Sequence, residues 1–522
     1  MFATATRSMK TNNRWAFWGL LLAFYAWGGW FQHLNSEPFG MHQGAQADRM
    51  GIAYNYFDIS MNFFQPRVME DRSADGVVAT EFPLLPYLAA LCAKAFGWSP
   101  IWYRLWVLLF HTLGAWGAYR MAELFTRKHN HAIAITFAWL SSPLLFFYSA
   151  VSLPDAAALG LSMFALWQLT RFYFGLNAQS SLWYYALCIS LAGLLKVSYF
   201  LPHLAFIALF LSQRIRPSLQ PALPFEGRQH AVLWGPFLPI VAWLSYNKWL
   251  YTQTQNPHFL QSINPANSLA ELVENFRFAG DTWGETLFPG GVLVVWMALW
   301  LFGLRRQLFQ LQNWPSALSV WLLLGFLGFF LLFSRQFQFH DYYLLIFLPF
   351  FFMAFLSAYQ AFLQQGSVLI GLWPIVASVS LLWIPFRNAS AARFQLLSRF
   401  EQGNYWCQNA ISNADDYAKA AQYLKREVEP SWEPVVIYDP SPNTALYFLK
   451  RQGIRLAPDF STALSLEVMA PYLDGRKKGI MVINDRSSYR DSLEPTLKEK
   501  GAQLDTMGQF GTLTLVKLGQ IR

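Results

Sequence analysis

The 522-residue chain is 54% hydrophobic and 18% aromatic, only 13% charged, and carries a formal net charge of +9. Soluble proteins carry roughly 25% charged residues, so the composition excludes a chain made only of water-exposed domains and points to an integral membrane protein. Positive charge of this kind marks topology through Lys and Arg at span ends, with attraction to anionic lipid or a phosphorylated substrate as the sharper alternative; no nucleic-acid partner is expected.

A membrane-crossing helix needs about 20 apolar residues, with shorter ones tolerated. Arg7, Lys10 and Arg14 precede the first apolar segment, 15–31, and no small-residue cleavage site follows it, so it reads as a retained signal anchor. Further spans are expected at 105–121, 132–148, 156–174, 183–195, 199–211, 231–250, 291–304, 316–333, 342–362 and 368–386. The two segments flanking Lys196 are short and also fit one long bent helix. Counted as two, they bring the total to eleven and place Arg120, Arg127, Lys128, Arg171, Arg214, Arg216, Arg228, Arg305 and Arg306 on the cytoplasmic side. The short outer loops then hold only Lys196 and Arg335, as the positive-inside rule requires. The expected fold is therefore a polytopic α-helical membrane domain, 1–387, with its N-terminus in the cytoplasm, and a small α/β domain, 388–522, outside.

Two long segments join the outer face, 33–104 and 252–288. Within them 47–57 and 84–96 read as helices lying along the interface, and 269–278 as a further helix. In the tail, 414–428 has an amphipathic helical pattern with Asn413 in the N-cap position. Strands are expected at 434–438, 480–483 and 512–518, with a turn at 440–443 leading into a helix to about 452 and another helix at 490–499. The tail has no catalytic motif. Cys92, Cys188 and Cys407 share no CxxC or metal-ligand spacing, so neither a disulfide nor a metal cluster is expected.

The outer face collects ionisable residues at helix starts. Asp48, Glu81 (in Thr80-Glu-Phe-Pro-Leu84) and Asp155 (in Ser152-Leu-Pro-Asp155) each read as ordinary helix-terminal acids. Three such acids on one face also suit a shared catalytic cleft. Arg335, His340, Tyr342 and Tyr343 fit either an interfacial aromatic belt or recognition of a phosphate or sugar. Arg67 and Lys196 add cations there, fit to hold a phosphate leaving group. His111, inside a span, reads as a packing residue.

Gln46-Ala-Asp48, Asn62-Phe-Phe-Gln-Pro-Arg-Val68, Glu81-Phe-Pro-Leu84, Pro154-Asp155, Leu195-Lys196 and His340-Asp-Tyr-Tyr-Leu344, taken in order, resemble motifs of the GT-C superfamily of membrane glycosyltransferases. Within it the chain is similar to the branch of protein O-mannosyltransferases and aminoarabinose transferases. The resemblance covers nearly all of the membrane part and, more loosely, the tail. It implies transfer of a sugar from a polyprenyl-phosphate donor to an acceptor hydroxyl of a glycan, lipid or protein at the outer leaflet, with inversion. It further implies Asp48 as general base, Arg67, Lys196 and His340 as contacts to donor phosphate or sugar, and Glu81, Asp155, Tyr342 and Tyr343 as substrate-binding residues. Many relatives have Asp-Glu where this chain has Asp48-Arg49, so no obligatory metal is expected, while a divalent ion stays open. A transporter or lipid flippase is the alternative from another class, although no repeated halves and no midplane charges favour it. An O-antigen ligase or polymerase is the third reading, with Arg277 as the lone arginine of the second outer loop.

Overall fold

The computed structural model describes residues 14–71, 74–176, 178–215, 227–259, 263–288, 293–294, 297–298, 300–301, 314–363, 413–437, 443–457, 459–484 and 489–521. They form two compact units. The first draws on 1–35, 104–245 and 261–398, the second on 36–103, 246–260 and 399–522.

Among the described residues, the first unit's regular elements are all helices. Its described helices include Arg14–Trp27, Ile101–Thr126 (from Arg104 on), Asp155–Tyr173, Ala178–Leu195, Leu201–Ile215, Trp314–Phe333 and Leu348–Leu363. Leu109, Leu187, Leu238, Val241 and Leu331 are all exposed, which suits a surface turned to lipid. Among the described residues, Trp314–Gln338 and Asp341–Gln360 are long and apolar enough to cross a membrane. His129–Leu140 with Pro143–Ser149 would be a third, bent by 78°. The expected span at 132–148 falls on this bent pair. Ser141-Ser142-Pro143 interrupts it, because Ser142 Oγ accepts from Leu145 N at the start of the second piece while Pro143 opens it. The expected span at 368–386 lies outside the described residues, as does most of 291–304.

Lys196 does interrupt the chain. It is extended (φ −161°, ψ 118°) between the Ala178–Leu195 helix and a short 3-10 turn, Val197–Phe200, that leads into Leu201–Ile215. The Asp155–Tyr173 helix is buried along almost its whole length. Glycines let it approach its neighbour backbone to backbone: a Cβ on Gly160 would stand 2.1 Å from Phe110 O, and one on Gly114 would stand 2.3 Å from Gly160 Cα. Small residues permit such crossings where lipid offers no hydrophobic drive. We expect Gly160→Ala to cost about 1–3 kcal/mol by overpacking and to lower the melting temperature of the detergent-solubilised protein. Gly19→Ala, with nothing within 4 Å of the added carbon, should leave it unchanged.

The second unit contains two helices from the first long loop, Gln43–Asp58 and Leu84–Phe96, together with the tail. Ile52, Tyr56, Val68, Val78 and Ala90 form the loop's own small core. The tail carries a five-stranded sheet in the order β2-β1-β3-β5-β4. The strands are β1 (Trp432–Val436), β2 (Ile454–Arg455), β3 (Lys478–Asn484), β4 (Ala502–Phe510) and β5 (Leu513–Ile521). β2, β1 and β3 are parallel, while β5 and β4 are antiparallel. The helices Thr462–Leu473 and Tyr489–Glu499 supply Met469, Tyr472, Leu493 and Leu497 to its core. The tail is thus α/β as expected, with β2, β4 and the Thr462–Leu473 helix added. Asn413 stands before the Ala414–Glu427 helix, but its side chain bonds Thr512 Oγ1 instead of capping. Most of the expected turn at 440–443 and Cys407 lie outside the described residues; Cys92 and Cys188 are free thiols.

Candidate active-site residues

Asp48 lies in the second turn of the Gln43–Asp58 helix, whose first turn holds no acid. The helix dipole acts mainly within the first turn, so capping does not account for this carboxylate. The turn before the helix is pinned by Gln43 donating to Pro38 O (2.9 Å) and Gln46 donating to Phe39 O (2.7 Å) and Met41 O (3.1 Å). Asp48 Oδ1 accepts from Asn443 Nδ2 at 2.7 Å and lies 3.4 Å from His258 Nε2. Oδ2 is 3.8 Å from Arg49 Nη1, beyond hydrogen-bond reach. Burial works to raise the Asp48 carboxyl, but the His258 charge and hydrogen bond, Arg49, and the Asn443 amide together hold it below the usual carboxylate range. Such a group stays ionised throughout the neutral range and is lost as a base only as pH falls through its lowered value. His258→Ala removes the largest lowering influence and leaves burial in place, so the carboxyl rises. We expect the acid limb of the activity profile to move upward in that variant, measured as rate against pH.

Glu81 is tied to Asp48 through Arg49. Arg49 Nη2 donates to both Glu81 oxygens at 3.0 Å, and its guanidinium lies 5.0 Å from the Phe259 ring centroid. A bidentate pair stacked on an aromatic ring is the arrangement Arg favours. No group of three or more His, Cys, Asp or Glu side chains suited to a metal ion occurs among the described residues. A divalent ion bridging Asp48 and Glu81 would have to displace a guanidinium that is already bidentate on Glu81, so these residues as arranged do not suit one.

Arg67 makes no contact with Asp48 among the described residues. Its Nη1 donates to Asp75 O at 3.0 Å and lies 3.7 Å from Asp75 Oδ2, across a local antiparallel bridge between Arg67 and Val77.

In the first unit, a second group assembles from three distant stretches. Lys196 Nζ donates to Asp155 Oδ1 at 2.7 Å, and Tyr199 Oη donates to the same oxygen at 3.1 Å. The Lys196 ammonium is 4.1 Å from the Tyr342 ring centroid and 5.2 Å from that of Tyr343, and His340 stacks on Tyr342 at 5.1 Å. Cation–π contact and a direct ion pair are what a buried ammonium needs; Asp155 is 1% exposed and Lys196 8%. Next to them Tyr148 Oη donates to the buried Asp341. Asp155, Lys196, His340, Tyr342 and Tyr343 therefore form one cluster. Arg335 does not join it; it forms a bidentate pair with Glu271 on the Leu269–Leu287 helix.

The sequence reading missed four participants. Tyr199 stood beside Lys196 and was read only as part of a span. His258, in Asn256-Pro-His258, is a polar residue of the second outer loop and gave a weak signal. Arg49 was seen as a departure from the Asp-Glu pattern, but not as a bridge to Glu81. Asn443 was read as a turn residue, and nothing local marks it as a partner of Asp48.

No protein-family model matches the chain, and no curated protein matches it. Solved structures do. ArnT from Cupriavidus metallidurans in the apo state aligns with a TM-score of 0.62 at 12% identity, covering 97% of this chain and 98% of that one. The same ArnT bound to undecaprenyl phosphate aligns with a TM-score of 0.60 at 14% identity, over 96% and 98%. The oligosaccharyltransferase of Archaeoglobus fulgidus in complex with zinc and sulfate aligns with a TM-score of 0.53 at 12% identity, over 96% and 73%. The chain thus shares the fold of these structures along nearly its whole length, as the sequence resemblance led one to expect of the fold.

Proposed function

We propose that this chain is an integral membrane glycosyltransferase that moves a sugar from a polyprenyl-phosphate donor to an acceptor hydroxyl at the outer face of the membrane, with inversion. The observation that carries the reading is the environment of Asp48: Oδ1 is held by the Asn443 amide, its neighbours hold the carboxyl below the usual carboxylate range, and among the described residues Oδ2 accepts no hydrogen bond, with Arg49 Nη1 3.8 Å away. That is the state a general base must have before an acceptor arrives. Fold likeness to a structure bound to undecaprenyl phosphate supports a donor of that chemistry.

In this reading Asp48 Oδ2 takes the proton of the acceptor hydroxyl as its oxygen bonds the anomeric carbon. The carbon–oxygen bond to the phosphate breaks, and the lipid phosphate leaves with the electron pair. Lys196 meets the phosphate: one of its three N–H groups goes to Asp155, and the ammonium lies over the faces of Tyr342 and Tyr343. His340 and Arg67 contact donor phosphate or sugar, and Glu81 holds Arg49 in place. Eleven spans, a cytoplasmic N-terminus, an extracytoplasmic tail beyond 387 and a bacterial plasma membrane location complete the proposal. The acceptor class is a glycan, lipid or protein hydroxyl.

Purified protein in lipid nanodiscs, given a polyprenyl-phosphate-linked sugar and an acceptor, should release polyprenyl phosphate in step with acceptor glycosylation. Movement of the intact lipid between leaflets without cleavage would instead mark a flippase. Because Arg49 stands between Asp48 and Glu81, no metal is obligatory: turnover should survive chelation with EDTA, and a loss that zinc or manganese restores would contradict this point.

A further inference from the structure

Asn443 belongs to the tail, yet it is fully buried beside a residue of the first long loop. Its amide orientation is fixed by a group that can only donate: the backbone N–H of Glu70, which bonds Asn443 Oδ1 at 2.8 Å. Nδ2 must then face Asp48 Oδ1 at 2.7 Å and His258 Nε2 at 3.0 Å. One side chain thus joins the chain leading from the Asp48 helix, the second outer loop and the tail.

The tail is held to that loop by main-chain pairing as well. Glu70 and Gly453 form a parallel bridge in which Asp71 N donates to Gly453 O at 2.7 Å and Gly453 N donates to Met69 O at 3.1 Å. Gln452 Nε2 donates to Val68 O at 2.9 Å, and Tyr447 Oη donates to Glu37 at 2.5 Å. A Cβ on Gly453 would stand 2.2 Å from Pro434 O, so this docking segment admits no larger residue without a shift. Directional main-chain bonds of this kind set position more tightly than side-chain packing alone.

We infer that the C-terminal domain is part of the catalytic apparatus: through Asn443 it orients the Asp48 carboxylate, fixing Oδ1 so that Oδ2 presents to the acceptor. Asn443 is a positioning residue, and the inference rests on Asp48 being the base. The charged and titratable groups around that carboxylate are His258 from the second loop, Arg49 from its own helix, and Glu81 beyond Arg49. A misplacement of about 1 Å costs up to about 100-fold in rate.

The test uses the full chain in nanodiscs with a polyprenyl-phosphate-linked sugar as probe, with rates normalised to folded protein. Asn443→Ala should lower kcat by tenfold or more while KM for the donor stays within twofold. Asn443→Asp keeps the shape and an acceptor for the Glu70 N–H but replaces the donor to Asp48 with a carboxylate. Its acid limb should therefore move up further than that of the alanine variant, and it serves if the alanine variant fails to fold. A merely structural Asn443 would reduce the yield of folded protein and leave kcat and the pH profile of the folded fraction at wild-type values; that result overturns the inference. If Asp48→Asn retains full transfer, the base reading itself has failed. If Asp48→Asn is inactive and both Asn443 variants behave as wild type, only the positioning role is lost.

Discussion

Asp48→Asn should reduce sugar transfer by about 10²- to 10⁴-fold, the contribution typical of a positioned general base, while the protein still folds and inserts. The substitution keeps the side chain's shape and an oxygen that accepts from Asn443. It removes the negative charge and with it the ability to take a proton. The expected loss is in kcat, because nothing in the Asp48 cluster needs to touch the donor for it to bind. Folding carries a smaller effect with a definite sign. A carboxyl held below its ordinary value stabilises the folded state at any pH above its unfolded value of about 3.9, and that contribution fades as pH falls through the lowered value. The Asn variant lacks it at neutral pH and should gain relative to wild type only in strong acid. A variant that binds donor normally, melts close to wild type and transfers no sugar is the expected result. Wild-type kcat would remove Asp48 from the chemistry.

The second large effect lies at Lys196 and Asp155. Each neutralises the other inside the first unit, so removing one leaves a buried, unanswered charge. Such losses cost about 3–5 kcal/mol, a large share of the stability of most folded proteins. Lys196→Met should lower the melting temperature strongly and abolish transfer. Asp155→Asn should do nearly the same, although Tyr199 and the rings of Tyr342 and Tyr343 soften it. The double variant Asp155→Leu, Lys196→Met leaves no orphan charge and should be more stable than either single variant, yet it should remain inactive if Lys196 meets the donor phosphate. A double variant that recovers activity along with stability would reduce the pair to a structural role. Additive losses in the double variant would show that the two side chains do not depend on each other.

The fold was legible wherever a local pattern carried it. The Leu84–Phe96 helix falls where the apolar run after Glu81-Phe-Pro83 placed it, because Pro near a helix start and Gly97 at its end are local signals. The break at Lys196 was visible for the same reason, since a charged residue between two short apolar runs is costly inside a continuous span. β4 was not visible. Its buried and exposed positions follow no regular alternation, as expected of a sheet-edge strand with only one neighbour. The site divides along the same line. Asp155, Lys196 and the His340–Tyr343 stretch were each marked by polar residues at the ends of apolar runs, and folding brings them together. Asn443 lies 395 residues from Asp48 along the chain, and only the docking of the tail through Glu70 and Gly453 creates the contact. A second-layer residue of this kind has no local sequence signature, which is why the tail read as a passive domain.

The most direct test of the central claim is mass spectrometry of lipid-linked sugars and glycans from cells that express the wild-type chain, Asp48→Asn, or neither. The account predicts that wild-type cells consume one polyprenyl-phosphate-linked sugar and gain one new glycan mass. Cells with Asp48→Asn should match those without the protein. Identical profiles in all three, or a new glycan formed equally by wild type and Asp48→Asn, would contradict it.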